Sequence, residues 1–229
     1  MHLYNHKPLE NTDFPAIAEL LEKPSRIVVT THVNPDGDAI GSSLALASYF
    51  NKKGHQSVVI VPDPFPDFLA WMPGCADILV YSSQKELCKD LINKSDITIS
   101  ADYNQLCRLN EAGDLVRESR AKKILIDHHL NPSGEFDYKI SINLISSTSE
   151  LVYNFIEATQ DLHLLDKETA ECIYTGIITD TGSFSYACNY VKTYLTVSEL
   201  FRLGIDGERI HRLVYDTYAE NRLRLLGYA

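Results

Sequence analysis

The stretch RIVVTTHVNPDGDAIG, residues 26–41, carries a β-branched apolar run straight into a turn and then into helix patterning. Residues 26–31 are apolar or β-branched after Arg26, the composition of a strand buried on both faces. Asn34-Pro35-Asp36-Gly37 has turn chemistry, because proline sets φ and glycine accepts φ > 0. A helix is predicted over residues 39–53, stopping at Gly54. The same alternation recurs outward from this unit. Strands are predicted over 56–61, 96–101 and 122–126, with Pro62, Pro64 and Pro66 breaking the chain after the first of them. Helices are predicted over 147–157 and 167–179, the former opened by Ser147-x-x-Glu150, which fits a capping box. The expected fold class is therefore α/β: a mainly parallel sheet with helices on both faces. After Ser185 the pattern is helical only, over 193–203 and 207–227, with a break near 215–219.

The chain has 229 residues, 45% hydrophobic and 23% charged, which fits one large globular domain or two small ones. Lys and Arg number 21 against 31 Asp and Glu, a net charge of −10. That balance argues against a protein held on long duplex nucleic acid, since such binding needs a basic face to release phosphate counterions. It leaves open a short phosphate-bearing substrate held through metal ions. No run of 18 apolar residues is present to span a membrane, and the start is polar, unlike a signal peptide. Five scattered cysteines with no C-x-x-C pair suit a reducing compartment, so a cytoplasmic protein is expected.

In parallel α/β sheets ligands bind at the carboxyl ends of the strands, and acids and histidines collect there in this sequence. His32, Asp36 and Asp38 follow the first strand. A plain β-turn needs neither His32 nor Asp38, although Asp38 could serve only as a helix N-cap. An EF-hand loop is excluded, because Ala39 and Ala45 fall where its glycine and bidentate glutamate belong. Asp102 follows the third strand, and Asp127-His128-His129 ends the fourth. Neighbouring side chains on an extended strand point opposite ways, so one histidine of the pair is expected on metal and the other on substrate or held by Asp127. Asp180 sits at a helix C-terminus, where the macrodipole disfavours a carboxylate by about 0.3–1 kcal/mol, and a cation would offset that. Together these positions supply four carboxylates and two imidazoles. Such an oxygen- and nitrogen-only set suits Mn²⁺ or Mg²⁺ better than structural zinc, and six ligands are too many for one catalytic ion but fit two. No P-loop and no G-x-G-x-x-G occur. Among the aromatic residues Tyr103 is a candidate for stacking on a base.

The four blocks HVNPDGDAIGS, ADYN, DHH and TDTGSF, in this order, resemble the DHH family of phosphoesterases (RecJ-like), and most closely its nano-RNase branch. The resemblance covers residue 26 to about residue 185 and extends into the helical tail. It implies a metal-dependent hydrolase acting on very short oligoribonucleotides and on 3′-phosphoadenosine 5′-phosphate. A cyclic-dinucleotide phosphodiesterase or manganese-dependent pyrophosphatase activity on the same centre is the alternative, and a nucleotide-binding module without turnover is the non-enzyme one. By the same resemblance His32, Asp36 and Asp102 hold one divalent cation, Mn²⁺ before Mg²⁺. Asp38, Asp102, His128 and Asp180 hold the other, with Asp102 bridging and His129 contacting the scissile phosphate. The implied organisation is a DHH domain over 1–190 and a helical segment over 191–229 leading to a C-terminal substrate-binding domain. The family's glycine- and histidine-rich block is missing from this chain. A homodimer and a short RNA or nucleotide substrate complete the expected partners, with no membrane.

Overall fold

Parallel strands cannot be joined by tight hairpins, so each needs a crossover, and the helices of this chain supply most of them. The computed structural model describes residues 9, 11–217, 224 and 228. Its strands are β1 (Arg26–Thr30), β2 (Gln56–Val61), β3 (Leu79–Val80), β4 (Ile97–Ala101), β5 (Lys122–Asp127) and β6 (Tyr138–Ser141). They form one sheet in the order β3-β2-β1-β4-β5-β6, with every neighbouring pair parallel. The described helices are α1 (Phe14–Leu20), α2 (Gly37–Lys52), α3 (Lys85–Lys94), α4 (Glu111–Glu118), α5 (Thr148–Ala158), α6 (Lys167–Asp180), α7 (Val191–Arg202) and α8 (Gly207–Tyr215).

The strands read as continuous apolar runs because both sheet faces are covered. Ile27, Val29, Val59, Ile99 and Ile126 point into a core shared with α2, α5 and α6. Val28, Ile60 and Leu125 point the other way, against Cys88 and Ile92 of α3 and Ala112 and Val116 of α4. This is the α/β architecture expected from the sequence. Strands β3 and β6 and helices α1, α3 and α4 were not singled out there. The two strands have only two and four residues at the sheet edges, too short for a recognisable apolar run. The β6 edge is covered: Asp13 donates its N–H to the Lys139 carbonyl (3.1 Å) and accepts the Lys139 N–H on Oδ2 (2.8 Å), which blocks further strand pairing.

Between β1 and β4 the connections diverge, β1 passing through α2 to β2 on one side while β4 lies on the other. A crevice opens at such a switch point, at the carboxyl ends of the strands. Helix α2 starts at Gly37, earlier than predicted, because Asp36 is its N-cap and accepts the N–H groups of Asp38 and Ala39, each at 3.0 Å. Asp38 is therefore not the cap. The tail helices pack onto the same body: Thr193 of α7 donates to the buried Glu150 of α5 (2.7 Å), and Tyr215 of α8 donates to the Ile178 carbonyl (2.6 Å). The predicted helix over 207–227 is seen as α8 to Tyr215, and most of the stretch past Thr217 lies outside the described residues. Among the described residues no helix is long and apolar enough to cross a membrane.

Helices α2 and α6 approach backbone to backbone. A Cβ on Gly41 would stand 2.5 Å from the Cys172 carbonyl oxygen and 3.1 Å from the Gly176 nitrogen. Main-chain atoms cannot swing aside, so Gly41→Ala must separate the helices. The better helix propensity of alanine, about 1 kcal/mol, is then outweighed by overpacking of about 1–3 kcal/mol. Urea denaturation of Gly41→Ala is expected to show a lower midpoint than the parent chain.

Candidate metal centre

All six predicted ligands converge on the crevice. His32 follows β1, and its Nδ1 donates to the Val33 carbonyl at 2.8 Å, which leaves Nε2 as the ring nitrogen toward the site, 3.6 Å from Asp102 Oδ2. Asp102, just past β4, takes a positive φ of 65° that an aspartate adopts only at some cost, and its carboxylate is almost wholly buried. Its other oxygen, Oδ1, lies 3.6 Å from His128 Nε2, and that nitrogen is 3.4 Å from Asp180 Oδ2. Ligand atoms of His32, Asp36 and Asp102 fall within 4.8 Å of one another, as do those of Asp38, His128 and Asp180. Asp102 therefore lies between two groups, with one oxygen toward each.

His129 stands apart in its partner. Its Nδ1 meets Asp127 Oδ1 at 2.7 Å, and Asp127 is fully buried at the end of β5. The strict strand alternation expected for His128 and His129 does not hold, because β5 ends at Asp127 and the chain turns away. The two rings lie side by side, with centroids 4.7 Å apart. Asp102, His128 and His129 accordingly form a third group within 4.8 Å. What separates the two histidines is the Asp127 carboxylate rather than a change of face.

The N-terminus of α5 holds the acids in place. Asp38 accepts the Thr148 N–H on Oδ2 (2.7 Å) and the Ser149 N–H on Oδ1 (2.8 Å), while the Thr148 hydroxyl donates to Asp102 Oδ1 (2.8 Å). A helix start has unsatisfied N–H groups and a partial positive charge, both of which suit a buried carboxylate. The sequence reading saw only the capping box here. Ser147 does cap Glu150, but the Glu150 carboxylate turns to Ser146 and Thr193 instead of completing the box. The signal available was the run Ser147-Thr148-Ser149 ahead of an apolar helix, a start whose free donors could serve an anion. Gly176 of α6 closes the arrangement, since a Cβ there would collide with Ser149 Oγ and Asp38 Oδ1. Asp180, the last residue of α6, reaches the same cluster.

The electrostatics are those of acids that repel one another in a buried setting. Burial, then repulsion from Asp38 and Asp36, pushes the Asp180 carboxyl up to about 7 and holds Asp102 well above the usual carboxylate range. Burial likewise raises Asp38, against the opposing pull of His128. A bound cation would favour the charged form of all three. The hydrogen bond to Asp127 raises the pKa of His129. Asn104, His128, His129, Leu130, Asn143 and Asp180 line an open cleft of about 560 Å³, within the ~300–1,000 Å³ typical of small-molecule sites. Tyr103 is not on it: the ring is buried, with its hydroxyl bonded to Thr30 (2.7 Å) and Ser100 (2.6 Å), so it cannot stack on a base.

Thr148→Val keeps the side-chain shape and removes the hydroxyl that orients Asp102. It is expected to weaken Mn²⁺ binding by about 10–100-fold in titration calorimetry, the usual cost of losing a group that aims a ligand. Thr148→Ser, which retains the donor, should bind as the parent does.

The chain is similar to several known proteins. The probable bifunctional oligoribonuclease and PAP phosphatase NrnA of Streptococcus mutans is 26% identical over 217 residues, covering 95% of this chain and 65% of that protein. The cyclic-di-AMP phosphodiesterase GdpP of Geobacillus thermodenitrificans is 24% identical over 212 residues, covering 89% of this chain and 32% of that one. The crystal structure of an exopolyphosphatase-related protein from Bacteroides fragilis superimposes with a TM-score of 0.91 at 46% identity, over 94% of this chain and 63% of that one. The chain thus spans less than two thirds of the length of each. Residues 26–177, from β1 to near the end of α6, match the DHH family, N-terminal domain, and the chain belongs to the DHH family.

Proposed function

We propose that this chain carries the catalytic centre of a metal-dependent phosphoesterase that hydrolyses short oligoribonucleotides and 3′-phosphoadenosine 5′-phosphate. The observation behind the reading is the position of Asp102, whose two carboxylate oxygens face two separate groups of histidine and aspartate. The donor set fits divalent cations. It offers oxygen and imidazole nitrogen without sulfur, and its buried acids are only partly offset by the α5 donors and the neighbouring histidines. In this reading His32, Asp36 and Asp102 hold one cation, and Asp38, Asp102, His128 and Asp180 hold the other, Mn²⁺ before Mg²⁺. When bound, such ions act as Lewis acids on phosphoryl oxygens and make water a better nucleophile at neutral pH.

The protein's own groups supply position and proton control. Thr148, Ser149 and the α5 amides fix the carboxylates before substrate arrives, so little reorganisation remains for the reaction. Asp127 holds the Nδ1 side of His129, leaving Nε2 as the free ring nitrogen. Protonated His129 can donate to a phosphate oxygen as negative charge builds there, or return a proton to the leaving oxygen as the P–O bond breaks. No serine or cysteine nucleophile is required, since a water oxygen replaces the ester oxygen on phosphorus. The oligoribonuclease and PAP phosphatase named among the relatives is matched over more of its length than the cyclic-di-AMP phosphodiesterase, and this favours the short-RNA reading over the cyclic-dinucleotide one. The greater length of the relatives supports a further proposal, that residues 1–190 form the catalytic domain and 191–229 lead toward a substrate-gripping domain. A cytoplasmic location follows from substrates of this kind.

Hydrolysis of dinucleotides and of 3′-phosphoadenosine 5′-phosphate with added Mn²⁺, by the full chain and by a version extended past Ala229, tests the proposal. Asp102→Ala is expected to lower the rate by about 10³-fold or more, because merely losing a group that orients a ligand already costs about 10–100-fold. EDTA should abolish activity. Full turnover in either condition would exclude the proposed chemistry.

A further inference from the structure

Cations at the acidic cluster would account for the reacting phosphate but not for any second charge on the substrate. The 3₁₀ turn Leu106–Leu109 stands beside the crevice, between β4 and α4. In it the Arg108 carbonyl accepts the Val33 N–H at 2.8 Å, while the Val33 carbonyl accepts the His32 Nδ1–H, also at 2.8 Å. Arg108 is thus anchored through one residue to the group that aims His32 at Asp102. Its side chain is exposed and lies near enough to His129 to oppose protonation of that ring.

Among the described residues Arg108 has no carboxylate partner, whereas Arg26, Arg117, Arg209 and Arg212 each pair with an acid. The acids around its turn are already engaged. Glu135 accepts from the Leu106 N–H, Ser133 and Arg117, and Asp127 is held by His129. In a chain of net charge −10, a guanidinium without a carboxylate partner, on a turn bonded to Val33 beside the crevice, is open to an anion from outside. Guanidinium geometry matches phosphate oxygens in a forked pair of hydrogen bonds, and such charge-assisted bonds are the stronger ones.

We propose that Arg108 binds a second, non-reacting phosphate of the substrate and thereby sets a preference for short nucleotides that carry one. This assignment rests on the phosphoesterase reading of the adjoining centre. It makes Arg108 a specificity residue, acting at a distance from the phosphorus under attack.

Two substrates that share the scissile group isolate the effect. 3′-Phosphoadenosine 5′-phosphate and adenosine 3′-monophosphate differ only in the 5′-phosphate. With Mn²⁺ present, the ratio of their kcat/KM values is expected to fall about 10-fold or more in Arg108→Gln, mainly through KM. A ratio equal to that of the parent chain would overturn the proposal, whatever happens to the individual rates, because a purely structural role lowers both alike. If the parent turns over neither these compounds nor dinucleotides, the phosphoesterase reading fails on its own. Calorimetric binding of the same two compounds then decides the matter for Arg108. The parent should bind the bisphosphate more tightly and the variant should lose that preference, and equal affinities in the parent would overturn the assignment.

Discussion

Several carboxylates must stand within a few ångströms of one another inside a folded protein, and that requirement organises the whole carboxyl end of this sheet. Water cannot screen Asp38 or Asp102, both of which are almost fully buried. The chain meets the problem with the start of α5, whose first two amides bond Asp38 and whose Thr148 hydroxyl bonds Asp102. Those three donors offset part of the repulsion, and the remainder leaves a centre suited to divalent cations. The close approach of α2 and α6 at Gly41 and Gly176 serves the same end, because a side chain on Gly176 would displace Asp38 and Ser149.

Two adjacent histidines on one loop are given different work by one buried acid. His128 faces Asp102 and Asp180, whereas His129 is turned toward Asp127. Sequence neighbours are thereby separated in partner, and the aspartate favours the protonated form of His129. A ring held that way is suited to proton traffic, and an imidazole nitrogen facing two carboxylates is suited to ligation. The overall acidity of the chain is no obstacle to an anionic substrate under this arrangement. The acids are concentrated where cations belong, and the turn that carries Arg108 is bonded to Val33 beside them.

Much of the fold was legible because apolar runs and turn chemistry act locally. RIVVTT, QSVVIV, DITISA and KKILI are apolar for their own lengths, and each became a strand within one or two residues of its predicted bounds. Strands β3 and β6 escaped notice because edge strands of two and four residues are stabilised by their neighbours rather than by their own composition. The site was legible for a related reason. A parallel sheet brings all its strand ends to one side, so acids and histidines placed after strands meet without any need to know the packing. Tyr103 shows the limit: one residue past Asp102, it turns inward and is bonded to Thr30 and Ser100, which its position in sequence does not reveal.

The amino-acid sequence by itself determined the α/β class, the strand-end location of His32, Asp36, Asp38, Asp102 and His128, the helix-end location of Asp180, and the oxygen-and-nitrogen character of that set. These follow from local periodicity and side-chain chemistry, which need no distant contact to be read. Only the tertiary structure decided that Asp102 faces both groups, that Asp127 engages His129, and that the α5 N-terminus clamps Asp38 from 110 residues away. Each of those depends on how separate segments approach in space, and hydrogen bonds between residues so far apart in the chain leave no periodic trace along it.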